Sequence, residues 1–105
     1  MLFMVVERFA PGRSAEVYAV VRERGRMLPE GLVVVDSWVS ANLEVCYQVM
    51  ECADPLLLQE WVARWGAWGN LVRFEIVPVA PSKATGALMA RLATEPSPSP
   101  APGPG

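Results

Sequence analysis

The sequence predicts a small α+β domain, built β-α-β-β-α-β, whose four strands form one antiparallel sheet with both helices on a single face. Three observations carry this reading. Four apolar runs, Leu2 to Phe9, Leu32 to Val39, Glu44 to Cys52 and Leu71 to Val79, have strand length and are rich in valine and aromatic residues. Two stretches between them carry helix start signals and helical apolar spacing instead. The strand–helix–strand order then occurs twice in succession.

The first run, "LFMVVERF", is apolar on both faces. Pro11-Gly12 makes a turn, and Ser14 is a candidate N-cap with Glu16 in the first turn, where a carboxylate suits the helix dipole. That helix extends to about Arg24 with Val17, Tyr18 and Val21 inward, and Gly25 closes it in the left-handed conformation. The loop "RMLPEG" leads into the second strand, and Ala41-Asn42 divides the second from the third, so these two form a hairpin. Asp54-Pro55 starts the second helix, with aspartate as cap and proline in the first helical position. Leu58, Trp61, Val62 and Trp65 follow as one buried stripe, ended by Gly66 and Gly69. The fourth strand points Val72, Phe74 and Ile76 to one face.

Past residue 80 the signal weakens. Residues 81–94 hold a short, weakly amphipathic helix around Ala84, Leu88 and Leu92, and 95–105, "EPSPSPAPGPG", read as a flexible tail. This tail has no large apolar side chain. Its deletion is expected to leave the melting temperature unchanged in a thermal scan, and a loss of several degrees would mean that it docks.

Two helices over one face of an antiparallel sheet, reached by right-handed crossovers, give the ferredoxin-like arrangement with strand order 4-1-3-2. The first and third strands are then central. Both carry apolar residues on both sides, whereas a sheet with one wet face alternates apolar with polar. The face away from the helices therefore needs a cover. A second copy of the same sheet is the simplest, giving a homodimer burying about 1,600 Å² or more in total. The alternative cover is the segment Lys83 to Leu92, folded back.

Composition excludes several functions. A net charge of −2, with basic residues scattered along the chain, does not fit nucleic acid. No apolar run approaches the roughly 20 residues of a membrane span, and Glu7 and Arg8 cut the N-terminal run too short for a signal peptide. A cytoplasmic location is the default. Cys46 and Cys52 lie on one strand, about 20 Å apart at 3.3 Å per residue, too far to bridge. There is no histidine, so Ser-His-Asp and Cys-His catalysis and histidine metal sites are absent. No C-x-x-C pair, Walker loop or dinucleotide fingerprint occurs, and neither metal nor cofactor is expected.

A resemblance adds to this. The segments "MLFMVVERF", "RGRMLPEGL", "DSWV", "CYQVMEC" and "FEIVPV" resemble, over Met1 to Val79, a family of short bacterial proteins known only as a domain of unknown function. That family is similar to the dimeric α+β barrels, in which two ferredoxin-like sheets face each other. The stretch "GAWGN" around Trp68 is longer than the family pattern. The resemblance implies a fold and a dimer but no activity. Similar barrels include cofactor-free oxygenases and isomerases. The other reading is a non-catalytic assembly module, its barrel filled by Phe3, Val5, Met50 and Trp38.

The candidate site is the set of polar residues that interrupt the apolar strands: Glu7, Asp36, Gln48, Arg73 and Glu75, with Trp38 beside Asp36. If Val72, Phe74 and Ile76 meet the helices, Arg73 and Glu75 point into the barrel, where Asp36, Trp38 and Gln48 can join them around a small molecule. Alternatively Arg73 forms a structural ion pair with Glu7 or Asp36. Trp61 and Trp65 read as helix-face core, and Arg22, Arg24 and Arg26 as a solvated helix end.

Overall fold

A computed structural model describes residues 1–96. The chain runs β1 (Leu2–Phe9), α1 (Ser14–Arg24), β2 (Val33–Val39), β3 (Val45–Glu51), α2 (Leu56–Trp65), a 3₁₀ turn (Gly66–Trp68), β4 (Val72–Val79) and α3 (Ser82–Thr94). All neighbouring strands are antiparallel, in the order β2-β3-β1-β4, the predicted arrangement read from the other edge. The stretch read as a flexible tail falls, at 97–105, outside the described residues.

The register sorts every strand residue to a face, because directly paired residues share one. Phe3, Val34, Met50 and Pro78 form one row toward the helices; Val5, Ser37, Gln48 and Ile76 form the next; Glu7, Val39, Cys46 and Phe74 form a third. The intervening rows, Met4-Asp36-Val49-Val77 and Val6-Trp38-Tyr47-Glu75, lie on the opposite face. A β-bulge between Val34 and Asp36 resets the pairing of β2 with β3. The expected phase of β4 holds: Val72 is buried, Phe74 and Ile76 are half-buried against the core, and Arg73 and Glu75 are exposed.

The core lies between the first face and the helices. Trp61, Met50, Leu71 and Val5 are its most completely buried large side chains. From α2 it receives Leu58, Trp61 and Trp65, with Val62 at its margin, as the helical spacing predicts. Asp54 caps this helix, its Oδ1 accepting the Leu56 amide at 2.9 Å, and Pro55 already has helical torsions. From α1 the core takes Val17 and Val20, with Val21 half-buried. This corrects the expectation for Tyr18, which is 37% exposed and sits edge-on to Phe9 with ring centroids 6.3 Å apart.

Two other expectations change in detail. Ser14 is the first residue of α1 and does not cap it; its hydroxyl donates to the Leu43 carbonyl in the β2–β3 loop. Gly25 does take a positive φ of +67°, but with ψ of −166°, a conformation open essentially to glycine alone.

The sheet's second face stays open. Trp38, Tyr47, Val77 and Val79 are exposed on it, and Leu2, Met4, Val6 and Val49 are half-buried. The segment considered as a fold-back cover is helical, but every residue of α3 is exposed. It leaves the face uncovered. Phe3, Val5 and Met50, which the assembly-module reading placed inside a barrel, pack against the helices instead; of that set only Trp38 is on the open face.

Candidate functional site: a buried carboxyl between sheet and helices

The six residues picked out by the strand patterns do not converge. Pleating sends Glu7 and Gln48 toward the helices and Asp36, Trp38, Arg73 and Glu75 to the open face. Within the open-face group, Asp36 and Trp38 are on edge strand β2, while Arg73 and Glu75 are on the other edge, three strand spacings or about 14 Å away. Arg73 cannot pair with Glu7, since the sheet lies between them. Glu75 has Arg8 at 3.9 Å, with both side chains more than half exposed, a pair of little energetic weight.

Glu7 is the unusual residue. It follows Phe3 and Val5 at period two, so β1 carries it into the core, where it is 6% exposed. Gln48, one row along β3 and 4% exposed, donates its amide to Glu7 Oε2. The amide oxygen of Gln48 in turn accepts from Arg26 Nη1 at 3.3 Å. This fixes the orientation of the amide and links the buried carboxyl to a charge at the protein surface. Arg26 is held there by α2: Trp61 Nε1 donates to the Arg26 carbonyl at 2.9 Å, and Arg64 Nη1 donates to the Met27 carbonyl at 3.0 Å. The next residue, Met27, takes a left-handed φ of 61°, which these two anchors help to hold.

Around Glu7 is a cavity of about 100 Å³, partly open to solvent. Its apolar walls include Phe9, Val17, Val21 and Val39, and its polar groups come from Glu7, Gln48, Arg26, Ser37, Cys46 and Tyr18. Trp61 and Trp65 close the side formed by α2. The Trp65 indole N–H is buried and, among the described residues, has no hydrogen-bond partner.

Burial raises the Glu7 carboxyl above its ordinary 4.5, outweighing the Gln48 and Cys46 hydrogen bonds and the Arg26 charge that favour its ionised form. Burial also pushes the Cys46 thiol up to about 11, with the nearby Glu7 charge adding to the effect and the Ser37 hydroxyl opposing it. Cys46 is therefore a neutral thiol at pH 7, no nucleophile. Cys46 and Cys52 are both free. Among the described residues no group of three or more His, Cys, Asp or Glu is placed to hold a metal ion, and no helix is long and apolar enough to cross a membrane.

The raised Glu7 pKa has a pH signature. Between 4.5 and the folded-state value the native protein binds more protons than the unfolded chain, so the Glu7 contribution makes stability fall as pH rises through that window. Glu7→Gln keeps an oxygen for the Gln48 amide and removes the titration. In thermal scans at pH 5 and pH 8 the wild type is expected to lose more stability between the two than the variant does. Equal losses would show that Glu7 is not desolvated.

Sequence reasoning found Glu7 and Gln48 and missed Arg26, Ser37, Cys46 and Trp65. A usable signal was the period-two set Cys46-Gln48-Met50, in which a small and a polar residue share a face with a large apolar one. Arg26 gave none, because its position depends on two side chains of α2.

The fold and the site together define a class: a split βαβ domain with a buried, hydrogen-bonded carboxyl in a cavity under its sheet. The domain of unknown function DUF3303 matches residues 1–93, and the chain belongs to that family. No curated protein and no solved structure matches it.

Proposed function

We propose that this protein is a small-molecule-binding domain that works as a homodimer, with its ligand in the Glu7 cavity. The observation that carries the reading is the buried carboxyl itself. A carboxyl desolvated in a partly open, mostly apolar cavity, with the Gln48 amide and the Cys46 thiol beside it, is costly for a purely structural role, and isosteric apolar residues fill such space more favourably. Convergent polar groups in an apolar recess are the ordinary form of a ligand site. At about 100 Å³ the recess suits a molecule of a few heavy atoms and falls below the range of about 300 Å³ and up usual for drug-sized ligands. The open sheet face supports the dimer: apolar side chains from all four strands lie uncovered on it, and a second copy can cover them by two-fold symmetry. Two free cysteines fit a reducing compartment, which supports a cytoplasmic location.

The test is a protein-observed NMR titration with acetone, hydroxyacetone and acetamide at millimolar concentration. Binding should move the methyl signals of Val17, Val21 and Val39, which share the cavity wall with Glu7. If none of the three probes moves those methyls, the cavity is structural space and the reading fails.

A further inference from the structure

We infer that the open sheet face is self-complementary in charge: in the dimer, the corner of each copy that holds Arg8 and Arg73 sits over the corner of its partner that holds Asp36 and Glu51. This rests on the dimer proposed above and assigns its orientation and the side chains that fix it.

Pleating and register place the charges. Arg8 and Arg73 are direct cross-strand partners on β1 and β4, both exposed on the open face. Like charges directly opposite each other are unfavourable in a sheet. Glu75, 3.9 Å from Arg8, offsets one of them, while Arg73 has no ion pair among the described residues. Asp36 on β2 and Glu51 on β3 are exposed on the same face toward its other end, and among the described residues neither has an ion pair. The Met1 ammonium, which donates to the Cys52 carbonyl at 3.0 Å, offsets part of their charge. One corner keeps a net positive charge and the other a net negative one.

The two corners are diagonal, about 10 Å apart across the sheet and roughly 13–20 Å apart along the strands. Met4, Val6, Tyr47 and Val49 lie between them as an apolar centre. This layout decides between the ways a two-fold can stack identical sheets face to face. The axis lies between the sheets and parallel to them, and each position faces its reflection across that axis. With the axis along the strands, both arginine pairs come to one end and the acidic residues to the other, and such like-charge contacts are costly. With the axis along the diagonal that separates the corners, each basic corner faces the partner's acidic corner. The contact then occurs twice, as an isologous interface requires, around an apolar core with a charged rim. Arg73 and Asp36, on opposite edges of one sheet, are brought together by the second copy.

The test uses full chains with exposed charges reversed: Arg8→Glu/Arg73→Glu, Asp36→Arg/Glu51→Arg and, as a control on α1, Arg22→Glu/Arg24→Glu. Melting curves check that each is folded. Sedimentation equilibrium should give dimer dissociation constants raised at least about tenfold for each of the first two alone and unchanged for the control. Mixed in equal amounts, the first two should form a heterodimer at least as tight as the wild-type dimer, because both corner contacts again pair opposite charges. The unmodified protein supplies an independent reading: its dimer should weaken as NaCl rises from about 50 to about 500 mM. A wild-type dimer that is indifferent to salt, or that the reversals leave intact, would overturn the orientation and leave the dimer standing. So would a mixture that stays monomeric. Equal weakening of the control would overturn it in favour of net charge alone. A monomeric wild type would remove the dimer itself.

Discussion

Replacing Val5 with aspartate is expected to unfold the protein. Val5 is fully buried in the middle of central strand β1, between Gln48 on β3 and Ile76 on β4, facing the helices. The change removes an apolar side chain from the core and puts a carboxylate in its place. Lost burial contributes roughly 1.5–3 kcal/mol. The unpaired charge adds several more, so the sum exceeds about 4 kcal/mol, in the range few domains tolerate. A chain of this size has only about 5–10 kcal/mol of stability in total. Circular dichroism should show a melting temperature lowered by tens of degrees or no cooperative transition. A folded variant with near-normal stability would mean that β1 presents its other face to the helices.

The opposite face of the same sheet gives the second large effect. Tyr47 lies on central strand β3, opposite Val6 and Trp38, and is 41% exposed in the isolated chain. Tyr47→Asp should leave each chain folded, because water already reaches the position. It should dissociate the proposed dimer, since an aromatic in the middle of an interface commonly contributes about 2 kcal/mol or more and the new carboxylate would be desolvated there. The dimer dissociation constant should rise at least about thirtyfold. Sedimentation equilibrium at micromolar concentration distinguishes the outcomes: a dimer for the wild type and a monomer for the variant. A wild type that is monomeric there would remove the dimer from the proposal. The paired variants thus act on one strand pair in two ways, and only pleating separates them.

How far the fold was legible follows from the same alternation. Strand and helix runs were visible because valine-rich segments, Asp54-Pro55 and the Leu58-Trp61-Trp65 stripe state their periods locally. The sheet order followed from connection handedness. The assignment of faces on β1 and β3 did not follow, because both strands are apolar on either side and carry no internal phase. The register supplies it: Glu7 stands opposite Phe74, whose side was legible, and so shares its helix-facing row. Without that register, Arg73 and Glu7 looked like partners when the sheet separates them. Tyr18 was misplaced for a related reason. Val17, Tyr18, Val20 and Val21 are four apolar residues within little more than one helical turn, and spacing alone does not say which of them the sheet buries. Arg26 and the unpaired Trp65 N–H were invisible, since each is defined by contacts between distant segments.

Burial of the Glu7 carboxyl and its proposed role in holding a ligand can both be read from one experiment, an NMR titration of the Glu7 side-chain carboxyl carbon with and without hydroxyacetone. The midpoint in the free protein should lie above the ordinary 4.5 and should move when the probe enters the cavity. A midpoint at or below 4.5, unchanged by the probe, would mean that Glu7 is neither desolvated nor part of a ligand site.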